Sequence, residues 1–250
     1  MKVIVDNLVT EYEDEGAGKV LLFLHGWKDS LDSFNDIGSI LNSEYRVIRL
    51  DLPGFGKTQI PKETWDLDDY IDFVGSFIAK LNISPYALIG HSFGGRIIIK
   101  GVSERKLNSE KLVLVASAGI AKRKTLKNYV FKIIAKTGKL VTYIPPFYFY
   151  RNSLKKKLYS FVGGDYLNTG ALKNTFVKVI KEDLSEYARQ IEVPTILIWG
   201  ADDTETPLSD GQRLNTMIRN SRLEVLEKAD HFVHKQKPRE VSGLIREFLR

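Results

Sequence analysis

The chain has no cysteine among its 250 residues. Disulfides, thiolate nucleophiles and cysteine-held metals are thereby excluded. Long apolar runs are missing too: nothing approaches the roughly 20 residues of a membrane span. The N-terminal MKVIVDNLVTEYEDEG alternates apolar with polar residues and brings acids early. It lacks the unbroken apolar centre of a secretory signal, so the cytoplasm is the expected location. No Gly/Ser-rich or Pro-rich linker divides the chain, and no repeat of solenoid length recurs. Histidine is scarce: any imidazole base must be His25, His91, His231 or His234. Acids are nearly absent from one stretch. Residues 121–181 hold 14 Lys or Arg and a single acid, Asp165. The remainder holds 23 basic and 30 acidic residues. A strongly basic segment thus sits in a mildly acidic chain, which marks a module with its own electrostatic task.

What is present fits one α/β domain. A 43% hydrophobic fraction over this length supplies a single large core. KVIVDNLVTEYE reads as one or two strands. KVLLFL, YRVIRLDL, YALIG, KLVLVA and TILIWG follow as near-continuous apolar runs, then RLEVLE. Such runs suit strands covered on both faces of a parallel sheet. Helical patterns alternate with them. Asp66 is placed to cap a helix whose apolar positions Leu67, Tyr70, Ile71, Val74, Phe77 and Ile78 share one stripe. FGGRIIIKGVSER and PREVSGLIREFLR are two more. The expected fold is a doubly wound, mostly parallel α/β sheet. Its core spans 1–118 and 191–250, and the basic segment, 119–190, is a mostly helical insertion.

GHSFGGR, Gly90 to Arg96, lies between a strand and a helix. Gly-x-Ser-x-Gly alone arises by chance in about one chain in ten of this length, so context must decide. Strand–turn–helix is the context of a nucleophile elbow, in which a tight turn lifts the hydroxyl above the sheet edge. The competing reading is a helix-capping serine with glycines for packing. A nucleophilic serine needs a base, and the base an orienting acid. Acids stand after TILIWG at Asp202, Asp203 and Glu205, and histidines after RLEVLE at His231 and His234. Two glycines in DLPGFGKT, Gly54 and Gly56, lack the rest of a phosphate-binding loop and are assigned to a structural turn.

LHGW, DLPGFGKT, GHSFGG, WGADDTETP and ADHFVH stand in one order along the chain. With them the sequence resembles the α/β-hydrolase superfamily, in its serine-nucleophile branch with an inserted helical cap. The resemblance implies Ser92 as nucleophile, His231 as base and Asp203 as the orienting acid. Asp203 is preferred to Asp202 because the family's acid stands three residues after the glycine, here Gly200, and four before the proline, here Pro207. The backbone N–H groups of Trp27 and Phe93 are implied as the oxyanion hole. His25, His91 and His234 are assigned to shaping and packing. No cofactor and no metal is implied.

The expected reaction is hydrolysis of a small carboxylic ester or thioester through an acyl-enzyme. Serine at 92 sets the chain apart from the aspartate-nucleophile branches. C–C bond hydrolysis of a diketone-like substrate stays open, although those relatives usually carry Met after the nucleophile and Gly-Pro-Gly after HG. A ligand-sequestering, receptor-like protein on the same fold also stays open. The basic insertion is taken first as a solvated face. Its aromatics, Tyr143 to Tyr150 and Tyr159 to Phe161, also suit association with an anionic membrane surface. No motif supports a nucleic-acid partner.

Overall fold

A computed structural model describes residues 1–121 and 172–250. The strands are β1 (Lys2–Val5), β2 (Leu8–Glu15), β3 (Val20–Leu24), β4 (Arg46–Leu50), β5 (Pro85–His91), β6 (Lys111–Val115), β7 (Thr195–Gly200) and β8 (Ser221–Leu226). The helices are α1 (Asn35–Leu41), α2 (Leu67–Lys80), α3 (Phe93–Ser103), α4 (Lys173–Lys181), α5 (Ser185–Arg189), α6 (Leu208–Met217), α7 (Val233–Gln236) and α8 (Pro238–Leu249). A short 3-10 turn, Leu31–Phe34, precedes α1.

The eight strands form one sheet in the order β1-β2-β4-β3-β5-β6-β7-β8. The pairings of β1 with β2 and of β2 with β4 are antiparallel, and the rest are parallel. Strands β3, β5 and β7 are buried along their whole length, which is why their sequences are unbroken apolar runs. β8 at the edge alternates charged with apolar residues and is mostly half-buried.

Side chains alternate across the sheet. Leu21, Phe23, Ala87, Ile89, Val113, Val115, Ile196 and Ile198 meet Ile37 and Leu41 of α1 and Val241, Ile245 and Leu249 of α8 in one buried cluster. α3 packs over β5 and β3 and beside α2. The α2 start behaves as its sequence predicts. Asp66 accepts from the backbone N–H groups of Asp68 and Asp69, and Asp69 returns a bond to Asp66 N.

The chain order reverses at β3, which has β4 on one side and β5 on the other. In parallel sheets the carboxyl ends of the strands at such a point are where ligands bind. The sequence positions singled out all follow strand ends: His25 after β3, Ser92 after β5, Asp203 after β7 and His231 after β8.

Two compact units are present: Met1–Ile120 with Lys178–Arg250, and Ala121–Val177. α5 belongs to the first, although it falls within the stretch expected as an insertion. The expected helices and aromatics of 122–171 lie outside the described residues. Among the described residues no helix is long and apolar enough to cross a membrane. α1 and α6 are additions to the sequence reading; both are short.

Candidate active site

The turn at Ser92 has an unusual backbone conformation. Its φ is +48° and its ψ −103°, a region that non-glycine residues occupy at a cost of about 1–3 kcal/mol. Four backbone hydrogen bonds impose it. Ser92 N–H donates to Val115 O at 3.1 Å, and Gly94 N–H to His25 O at 3.1 Å. Ser92 O accepts from Ala118 N–H at 3.1 Å and Arg96 N–H at 3.3 Å. Gly94 is obligatory: a Cβ there would stand 2.1 Å from the carbonyl oxygen of Leu24. Ser92 occupies the N-cap position of α3, but its side chain makes no capping bond. The capping reading therefore fails, and the hydroxyl is left half-buried above the sheet edge.

The loop after β3 passes directly beside it. A Cβ on Gly26 would lie 3.5 Å from Ser92 Cβ. The next residue, Trp27, stacks edge-on with Phe93 at 5.2 Å and with Phe55 at 4.8 Å, and Tyr70 meets Phe93 at 5.0 Å. These rings form an aromatic floor. Phe93 is the first residue of α3, and the first amides of a helix have no intrahelical partner.

His231 and Asp203 meet across two loops. Nδ1 of His231 lies 2.9 Å from Asp203 Oδ2, with both side chains almost wholly buried. A carboxylate only accepts, so Nδ1–H donates to Asp203, and Nε2 is the ring nitrogen that Asp203 does not engage. Asp203 is itself fully engaged. Its Oδ1 accepts from Glu205 N–H and Thr206 N–H, both at 2.9 Å, and Oδ2 also takes Thr206 Oγ at 2.8 Å. Asp202 is exposed, with its N–H bonded to Ala229 O. The turn thus brings Asp203 to the imidazole and leaves Asp202 outside.

The remaining histidines support this frame. His25 accepts Leu52 N–H on Nε2 at 3.0 Å and meets Gly26 O through Nδ1 at 2.7 Å. His91 donates from Nε2 to His231 O at 3.0 Å, which ties the residue before Ser92 to the histidine loop. His234 Nε2 meets Ser33 Oγ at 2.7 Å, and its ring lies 4.1 Å from that of His91. Asp51 of DLPGFGKT is buried and accepts from Leu31 N–H and Lys57 N–H, so that loop is a structural turn.

Asp29, His91 and His234 bring nitrogen and oxygen atoms within 4.8 Å of one another. Each of the three already holds a polar partner through one end, while Nδ1 of His91 and Nδ1 of His234 are buried without one. Asp29 binds Lys235 Nζ at 2.8 Å and accepts from Ser30 N–H and Ser33 Oγ. His91 Nδ1 backs onto Gly26, where a Cβ would stand only 2.8 Å away. The two histidines pack behind His231, and the Lys235 ammonium already pairs with Asp29.

Two further residues of the same turn reach the imidazole. Thr206 stands three residues after the acid and both caps Asp203 and lies 3.1 Å from His231 Nδ1. Glu205 places Oε2 3.6 Å from His231 Nε2.

Burial makes this frame sensitive to acid. It pushes His234 down to about 3, aided by Lys235 and His231. Burial, with His234 and His231 beside it, also holds His91 well below its ordinary value. Unfolded histidines take a proton near pH 6.5, so below that the unfolded chain binds more protons and stability falls with pH. At pH 5 His234 alone should cost roughly 2 kcal/mol. Urea unfolding at pH 7.5 and pH 5 measures it. Equal midpoints and slopes at the two values would contradict neutral, buried His91 and His234.

Comparison with known proteins agrees with the fold. The family described as "Alpha/beta hydrolase family" matches residues 21–244. An uncharacterized hydrolase, YugF of Bacillus subtilis (strain 168), is 25% identical over 98% of this chain and 94% of its own length. The 2-hydroxy-6-oxo-6-phenylhexa-2,4-dienoate hydrolase of Comamonas testosteroni is 25% identical over 98% of this chain and 93% of its own. The crystal structure of an esterase from Exiguobacterium antarcticum superposes with a TM-score of 0.76 at 21% identity, covering 99% of this chain and 98% of that one.

Proposed function

The chain belongs to the alpha/beta hydrolase family, and from that premise we propose that it is a serine hydrolase of carboxylic esters or thioesters. The observation that carries this reading is the pairing of a strained, non-capping serine with a histidine whose Nδ1 is held by a buried carboxylate. In the proposed reaction Ser92 Oγ attacks the carbonyl carbon as His231 Nε2 takes its proton. Asp203 orients the imidazole and stabilises the imidazolium. The N–H groups of Trp27 and Phe93 bind the oxyanion. Collapse breaks the C–O bond of an ester or the C–S bond of a thioester, and His231 gives the proton to the leaving alcohol or thiol. Ser92 is left acylated until water, activated by the same nitrogen, releases the acid.

The test is a substrate panel of esters, thioesters, lactones and diketones, with labelling by a serine-reactive phosphonate. Ester turnover with label on Ser92 supports the reading. Labelling without ester or thioester turnover, but with diketone cleavage, favours C–C bond hydrolysis. The likeness to the Comamonas testosteroni enzyme is what keeps that second reading in play. Tight ligand retention with neither label nor turnover favours the receptor-like reading.

The insertion proposed at 119–190 is read as a cap, largely outside the described residues. Its charge of 14 basic residues against one acid over 121–181 motivates a membrane test. Each Lys or Arg near an anionic surface adds about 1 kcal/mol, falling off beyond a Debye length. Co-sedimentation with anionic vesicles is expected at low salt. It should disappear near 1 M salt and weaken in the combined variant Lys155→Glu, Lys156→Glu, Lys157→Glu. Equal binding to neutral and anionic vesicles would reduce the basic stretch to a solvated face.

A further inference from the structure

We infer that Glu205 selects for a positively charged alcohol portion in the ester substrate. The inference rests on the serine-hydrolase reading above and deepens it. Two carboxylates flank the imidazole of His231, and they differ in kind. Asp203 touches Nδ1, is 0% exposed, and has its oxygens engaged by Glu205 N–H, Thr206 N–H, Thr206 Oγ and Nδ1. Glu205 stands 3.6 Å from Nε2, and its side chain is 55% exposed. Among the described residues no lysine or arginine pairs with its carboxylate. The backbone beneath it is held rigidly. Glu205 N–H is bonded to Asp203, and the next residue, Thr206, is anchored to Asp203 and Ala116.

Nε2 is the atom that hands its proton to the leaving oxygen. A proton acceptor in such a step sits about 3 Å from the donor nitrogen. The leaving oxygen therefore lies within about 7 Å of the Glu205 carboxylate, the sum of that reach and the observed separation. A charged substituent two or three atoms from that oxygen, as in an amino alcohol ester, can come into contact with it. The acyl group stays on Ser92 when the alcohol leaves, and it is the leaving oxygen that must sit against Nε2. The selectivity thus concerns the alcohol.

Among the described residues, the charges against the imidazole favour the same sign. Asp203 and Glu205 face it from the turn after β7. His91 and His234, packed behind it, are held neutral by burial. Lys235 is paired to Asp29. Two unit charges about 4 Å apart in water-like surroundings interact by roughly fivefold in an equilibrium constant, and exchanging attraction for repulsion squares that factor to about 30-fold.

The experiment measures kcat/KM for three esters of one acyl group, with cationic, neutral and anionic alcohols, each normalised to the neutral ester on the same variant. Phosphonate titration of Ser92 counts the competent sites. The native chain should prefer the cationic ester to the anionic one by about 30-fold. Glu205→Gln should bring that ratio within about threefold, Glu205→Lys should invert it, and 1 M salt should shrink it in the native chain. A native ratio near one, a preference for the anionic ester, or a ratio that Glu205→Gln leaves in place overturns the inference while leaving the hydrolase reading intact. Absence of turnover and of labelling on Ser92 overturns both.

Discussion

Ser92→Ala is expected to lower ester turnover by about three orders of magnitude or more. Without Oγ no acyl-enzyme forms, and water must attack the carbonyl directly. The residual rate measures what the proposed oxyanion site and the remaining His231–Asp203 pair contribute without the nucleophile. The fold should tolerate the change. The hydroxyl caps nothing in α3, and alanine occupies the φ of +48° with no more crowding than serine. Steady-state kinetics with a chromogenic ester, set beside thermal unfolding, measures both halves. A variant of unchanged stability that turns over at a near-native rate would remove Ser92 from the reaction and with it the proposed function.

Asp203→Asn is the second large effect. An asparagine presents an amide N–H₂ where a carboxylate accepted Nδ1–H. The imidazole then favours the tautomer with its proton on Nε2, and the base is silenced; such a change costs about four orders of magnitude where it has this effect. It also disturbs a buried acceptor serving two backbone donors and the Thr206 hydroxyl, so some stability should be lost, about 1–3 kcal/mol if one donor is left unpaired. Asp202→Asn, one residue earlier and exposed, should change turnover less than about threefold, as surface substitutions away from a site do. Measuring both variants at several pH values separates a tautomer effect from unfolding. A larger loss from Asp202→Asn than from Asp203→Asn would reverse the assignment.

Both substitutions bear on positions that differ in how far sequence alone could reach. The sheet was readable because strands covered on both faces have to be apolar throughout, and β3, β5, β6 and β7 are written that way. α2 was readable because a single buried stripe repeats with the helical period and Asp66 supplies its cap. α1 has too few turns to stand out from loop, and α6 buries only Gly211 and Leu214, too few positions to write an apolar stripe. The strand–turn–helix setting of Ser92 was also written locally, in glycines that only a close approach of backbone requires.

The sequence by itself determined the sheet, its helical partners and the order of serine, acid and histidine along the chain, since each depends on neighbours a few residues away. Only the tertiary structure decided which side chains meet. Whether Ser92 caps its helix depends on where Val115, Ala118 and His25 place their backbone atoms. That Asp203 faces His231 is a contact across 28 residues, and the bonds of His91 to His231 and Ser33 to His234 span 140 and 201. The position of Glu205 beside Nε2 is of the same kind. Such contacts follow from the order in which parallel strands lie in the sheet and from the turns that leave their carboxyl ends. A local residue pattern encodes a strand or a helix, but the distance between two loop tips is a property of the closed sheet.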